Sequence, residues 1–195
     1  MRALADDHSD LDHHSDLLVG PDQAPLLARP YYASGDPGPI VAALAQVPEL
    51  LETAMPFLGA ALGPSGIDWR TKEIVIVRTS ALAGCRYCVQ AHTVVALDAG
   101  LSLDEVRALR TDIAVADAFT DPRELALLDW VDVVAGSGPV TDDARAAVRR
   151  RWAGHEVVEL TALVGATLLL NRFATALALP TGPDTTARLA TEGLS

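Results

Sequence analysis

The only two cysteines of the chain lie three residues apart, in Gly84-Cys85-Arg86-Tyr87-Cys88, with His92 four residues further on and Glu73 twelve before the first of them. A cysteine pair at this spacing serves as a redox dithiol, as half of a zinc site, or as a haem attachment. Haem attachment needs a histidine directly after the second cysteine, and Val89 stands there. Zinc needs four ligands, and apart from His92 the chain offers only His155 and three histidines within its first fourteen residues. A zinc set of Cys85, Cys88, His92 and either Glu73 or His155 stays open, though poorly supplied. A redox dithiol needs less: two thiols able to join, and a neighbour that makes one of them a thiolate.

The elements that carry these residues read as two helices. Trp69 to Leu82 has the pattern of an amphipathic helix, with Ile74, Val75, Val77 and Leu82 as apolar positions and Gly84 suited to end it. A second helical run restarts at Cys85 and stops at Gly100. On it Cys85 and Cys88 are i and i+3, Cys88 and His92 are i and i+4, and all three share a face. The cysteines fall in the first turn, where unpaired N–H groups and the helix dipole favour an anion and can bring a thiol from ~8.5 into the range ~3.5–7.5. His92 can take up the thiol proton and pass it on. Glu73 is placed to orient that imidazole if the link through Ala83 and Gly84 folds the first helix back beside the second.

The pattern written by Glu73, Cys85, Cys88 and His92 resembles the alkylhydroperoxidase D-like branch of the carboxymuconolactone decarboxylase family. Pro48 through Gly63 is similar to the family's lead-in helix, and Val157 to Pro180 to its closing helix, so the likeness covers roughly residues 40 to 180. The resemblance implies an all-α, oligomeric thiol peroxidase, a trimer or a multiple of it. Such an enzyme reduces hydroperoxides and is recharged by an external dithiol, in some members a lipoyl-bearing protein, with no bound cofactor or metal. It further implies that Cys88 attacks the peroxide, Cys85 resolves the sulfenic acid, and His92 and Glu73 relay protons. Some members carry a histidine between the cysteines where this chain has Tyr87; a phenol can donate a hydrogen bond but is a poor base near neutral pH. The decarboxylase branch acts on a lactone without a cysteine pair.

Composition fits one soluble helical domain. Half of the 195 residues are hydrophobic and only 5% aromatic, so Ala, Leu and Val must fill the core. A net charge of −11 leaves no basic surplus for nucleic acid, and Arg149-Arg150-Arg151, the only basic run, reads as a solvated helix end. No secretory signal is visible, and the apolar run Val157 to Leu179 carries Glu159, Asn171 and Arg172, poor membrane material. The expected location is the cytoplasm, where a cysteine pair cycles rather than staples. Ile74-Val75-Ile76-Val77 has no second strand to pair with and reads as buried helix, which also excludes a thioredoxin βαβ setting.

Residues 1–38 read as a loosely ordered, acidic, His- and Pro-rich arm in which His8-Ser9-Asp10-Leu11 repeats as His14-Ser15-Asp16-Leu17, residues 39–182 as the helical domain, and 183–195 as a tail. Helix starts are signalled at Ser102, Asp121 and Thr141, and ends at Gly63, Gly100 and Gly136. Arg172 reads chiefly as an ion-pair or subunit-interface residue, and as a substrate carboxylate binder in second place. Three functions are therefore open: a Cys-dependent peroxidase or disulfide oxidoreductase, a zinc-stabilised helical interaction scaffold, and a non-redox enzyme using His92 and Glu73 as acid and base.

Overall fold

The computed structural model describes residues 15–194; the first copy of the histidine repeat, and His13 and His14, lie outside the described residues. All regular structure among the described residues is helical. The chain divides into two compact units, residues 1–57 with 177–180, and residues 58–176 with 181–195.

In the first unit, three short 3-10 turns, Ser15–Leu17, Pro21–Gln23 and Arg29–Tyr32, precede α1 (Pro39–Leu44). The stretch expected to be a loose arm makes specific bonds there. The Val19 N–H donates to the Ala42 carbonyl at 3.1 Å, and the Tyr32 hydroxyl donates to the Val19 carbonyl at 2.7 Å. Helix α2 (Pro48–Leu62) then starts with proline, whose missing N–H costs nothing in a first turn.

The second unit is built around α3 (Trp69–Leu82), which packs against α4 (Arg86–Asp98), α5 (Leu103–Leu109), α6 (Pro122–Ala135) and α8 (Gly154–Ala176), with α7 (Asp142–Arg149) beside α6 and α8. The expected amphipathic character of α3 is corrected: every residue from Thr71 to Val77 is buried. Over these residues a helix surrounded by four others has no solvent face, and only its ends, Trp69 and Leu82, are exposed, so the charged residues between go inside with partners. Lys72, 1% exposed, donates from Nζ to the carbonyls of Gly63 (2.5 Å) and Ala61 (3.3 Å) and pairs with Glu159 at 3.1 Å. Arg78 is held bidentately by Asp132, both bonds 2.7 Å. Around these, Ile74, Val75, Val106, Leu127, Leu160 and Leu163 form the dry core, each burial stabilising by ~1.5–3 kcal/mol.

Helix punctuation follows the sequence signals. Asp68, Asp121 and Thr141 cap α3, α6 and α7, and Ser102 and Glu105 close a reciprocal capping box on α5. Beyond residue 182 the structure departs from the expected tail. Pro183–Thr191 is helix α9, packed on α4 with Leu189 buried and Arg188 forked onto Asp98 at 2.7 and 3.0 Å. Nine residues with one apolar anchor carry little periodicity, so the helix is invisible until α4 supplies the surface. Among the described residues α8 alone is long and apolar enough to cross a membrane by length and composition. Its Leu160, Leu163 and Val164 lie in the protein core against α3, α6 and α7, as in a core helix.

Candidate active site

Only Ala83 and Gly84 separate the last residue of α3 from Cys85. Gly84 has φ +67°, the left-handed conformation that reverses a helix end and that glycine adopts without strain. Its N–H donates to the Ala81 carbonyl at 3.1 Å, and the Cys85 N–H donates to the Ser80 carbonyl at 3.0 Å, the double closure of a Schellman motif. Cys85 itself is extended (φ −85°, ψ 94°), and its Sγ accepts the Cys88 N–H at 3.3 Å. One residue thus ends α3 with its backbone and caps α4 with its side chain. The expected helix start moves by one position: Cys85 is the cap, and Cys88 sits in the first turn.

Both thiols are free and buried, Cys88 at 5% exposure against 1% for Cys85. The Cys88 S–H donates to the Cys85 sulfur, and this bond is the main reason the Cys85 thiol falls from 9.0 to about 6. Burial opposes the fall; the Cys88 N–H, the Thr175 hydroxyl and the nearby His92 add to it. Cys88, sharing its proton with that sulfur and buried, is pushed up. The pair therefore holds one proton at neutral pH, with the charge resting on Cys85. This resting charge lies on the thiol expected to resolve, and the remaining proton on the thiol expected to attack.

The other expected partners also meet. His92 Nδ1 lies 3.0 Å from Glu73 Oε2 and 3.3 Å from Oε1. The Glu73 side chain is 2% exposed and the imidazole 28%, so the carboxylate, which could not be buried alone, holds one ring nitrogen while the ring edge reaches solvent. The carboxylate and the imidazole belong to different helices, α3 and α4, which pack against each other through the two-residue link. Tyr87 is half-buried at the second position of α4.

Among the described residues no group of three or more His, Cys, Asp and Glu converges to hold a metal ion, and His155 is exposed. Arg172 is exposed on α8 without an ion pair among the described residues, so its expected structural pairing is not made within them. Sequence reading missed Thr175, on α8 and 90 positions from the sulfur it faces, and nothing local to either residue signals that approach. It also missed Ser80, whose hydroxyl donates to Asn171 Oδ1 at 3.0 Å between α3 and α8.

Residues 48–133, which include all four residues of the site, match the carboxymuconolactone decarboxylase family. The protein YnjA of Escherichia coli K12, itself uncharacterised, is 29% identical over 120 residues; the match covers 60% of this chain and 63% of that relative's length. A protein of unknown function from Agrobacterium tumefaciens, ATU0492, for which an AhpD-type antioxidant-defence role has been suggested, superposes with a TM-score of 0.66 at 26% identity, over 71% of this chain and 94% of the other. The debrominase Bmp8, in a cysteine-to-alanine form bound to 2,3,4-tribromopyrrole, superposes with a TM-score of 0.75 at 16% identity, over 90% and 96% of the two chains. That last likeness is one of fold.

Proposed function

We propose that this protein, whose residues 48–133 match the carboxymuconolactone decarboxylase family, is a two-cysteine thiol peroxidase of the alkylhydroperoxidase D-like kind. The observation that carries the reading is two free, buried cysteines, with Cys85 Sγ accepting the Cys88 N–H at the start of α4, beside a buried carboxylate that holds an imidazole. Cys88, the less buried thiol, attacks the hydroperoxide. Its proton moves along the existing bond to the Cys85 thiolate, its sulfur takes the terminal oxygen, and the O–O bond breaks to release an alkoxide, which leaves as the alcohol with a proton delivered through His92. Cys85 passes its proton to His92 and attacks the sulfenic sulfur of Cys88, the S–O bond breaks as the disulfide closes, and the displaced hydroxide leaves as water with the proton held by His92. An external dithiol then reduces the disulfide, so that one hydroperoxide and one dithiol become alcohol, water and an oxidised dithiol.

The division of labour rests on placement. Cys85 is the better acceptor of charge because a helix start and three donors face it, and Cys88 is the better nucleophile once its proton has moved. Glu73 fixes the imidazole in place for the transfer. A reducing, cytoplasmic compartment would keep the pair in its starting state. Assembly as a homotrimer or its multiple is part of the same reading, supported by Val158 and Leu169, 71% and 55% exposed on α8; a monomer by light scattering at micromolar concentration would overturn it. The zinc scaffold is disfavoured because Glu73 is engaged by His92, and the non-redox reading because it leaves both thiols without work.

Free thiols are counted before and after one equivalent of hydroperoxide in the parent chain, Cys85→Ser and Cys88→Ser. The expected results are loss of two thiols in the parent, a trappable sulfenic acid in Cys85→Ser, and no rapid reaction in Cys88→Ser. Parental reactivity in Cys88→Ser would reverse the roles, and no thiol loss in the parent would sink the function.

A further inference from the structure

Most basic side chains of this acidic chain are held by carboxylates, as Arg78 is by Asp132 and Arg188 by Asp98. Among the described residues, the exceptions are the exposed run Arg149-Arg150-Arg151, Arg29, which bonds the Ala24 carbonyl, and the two exposed arginines Arg86 and Arg172. These last two belong to the thiol end of the second unit. Arg86 is the first residue of α4, directly after the capping Cys85 and two before Cys88. Arg172 follows Asn171, the buried residue that accepts the Ser80 hydroxyl at 3.0 Å, and the carbonyl of the same Ser80 takes the Cys85 N–H at 3.0 Å. Two hydrogen bonds thus connect the neighbour of Arg172 to the neighbour of Arg86. One step of ~100° round α8 turns Arg172 from the buried contact to solvent. No Asp or Glu occurs from Ile74 to Leu97 or from Leu160 to Pro183, and Glu73 is buried against His92. Around the joint, α3, α4 and α8 therefore present two exposed positive charges and no exposed negative one.

We propose that Arg86 and Arg172 form the docking site for the dithiol that recharges the protein, and that this reductant carries carboxylates beside its thiols. The inference rests on the two-cysteine reading for the disulfide it acts on. In the oxidised pair both sulfurs are neutral, so the guanidinium groups and the start of α4 face an arriving anion without the opposing charge of a Cys85 thiolate. A thiolate of the reductant attacks Cys88 Sγ, the less buried sulfur; the S–S bond breaks and its electron pair leaves on Cys85, the cysteine better placed to bear charge. The second thiol attacks the reductant's own sulfur in the mixed disulfide and expels Cys88. Two electrons have then passed to the protein, one proton of the dithiol stays on the cysteine pair, and the other goes to solvent. The restored thiolate repels the carboxylates of the product and favours its release.

The test compares two dithiols, 2,3-dimercaptosuccinate, which carries two carboxylates, and dithiothreitol, which carries none, on protein whose disulfide has been formed with diamide. The readout is the ratio of their second-order rate constants at low ionic strength, which cancels changes in the disulfide itself. That ratio is expected to fall about 2- to 5-fold in Arg86→Gln and in Arg172→Gln, to fall further in the double variant, and to shrink with added salt in the parent. Arg151→Gln, an equally exposed arginine outside the site, should keep the parental ratio, and circular dichroism confirms that every variant is folded. A parental ratio in the double variant overturns the proposal, as does an equal fall in Arg151→Gln, which would reduce the effect to net charge. Because no hydroperoxide is used, a ratio that falls as expected in a protein unable to reduce peroxide would retain the docking site and reject the peroxidase.

Discussion

Removing the Cys88 thiol without replacing its donor should return Cys85 toward an ordinary thiol. The fall of Cys85 from 9.0 to about 6 corresponds to roughly 4 kcal/mol of preference for the thiolate, at ~1.4 kcal/mol per tenfold change in ionisation. Its largest cause is the Cys88 S–H bond. A hydrogen bond to a charged group is worth ~1.5–3 kcal/mol, or about one to two pH units, so Cys88→Ala should titrate between about 7 and 8. At pH 7 the ionised fraction should fall from about 90% to roughly 10–50%. Cys88→Ser keeps an O–H donor and should stay near the parent. The assay is absorbance of the thiolate between pH 4 and 10, paired with iodoacetamide rates. The parent should show one thiolate, not two, forming below neutrality. Two acidic thiolates, or a Cys88→Ala curve that overlays the parent, would refute the shared-proton account.

The same shift makes stability depend on pH. Because the folded thiol ionises below the unfolded one, its contribution is fully present above ~8.5 and is lost as pH falls through about 6. Urea unfolding of the reduced protein should therefore show stability rising across that window, and Cys85→Ala should flatten the rise. Glu73→Gln, which keeps the volume of a side chain only 2% exposed, should slow thiol oxidation by peroxide roughly 10- to 100-fold and move its pH profile, with the melting curve little changed; an unaltered profile removes Glu73 from the relay. Lys72→Met should destabilise by ~2–4 kcal/mol, since it strands the Ala61 and Gly63 carbonyls and the Glu159 carboxylate together; denaturant midpoints at unchanged slope provide the check, and a loss below ~0.5 kcal/mol would contradict it.

Local signals carried the parts of this site that local rules control. Gly84 announces a reversal, and the spacing from Cys88 to His92 is one helical turn, so the shared face was readable. The Glu73–His92 contact followed once α3 was assumed to fold back on α4, which a two-residue link compels. Lys72 was not readable in the same way: a lysine beside a glutamate at a helix start looks like a solvated pair, and only the ring of helices around α3 turns it inward. Thr175 and Asn171 depend on the parallel course of α8 along α3, a tertiary fact that no window of ten or twenty residues contains. Asn171 did interrupt an apolar run, and that interruption was a trace of its work.

The joint at Cys85 also sets how the protein tolerates changes of length. Since that residue completes one helix and begins the next, the link holds no slack that could absorb an extra residue. An insertion between Ala83 and Cys85 would separate the bonds that close α3 from the side-chain cap that opens α4, and so carry His92 off the Glu73 carboxylate. Substitution can spare this geometry and a single inserted codon cannot, so the segment from Ser80 to Cys88 should be free of length variation wherever the thiol chemistry persists.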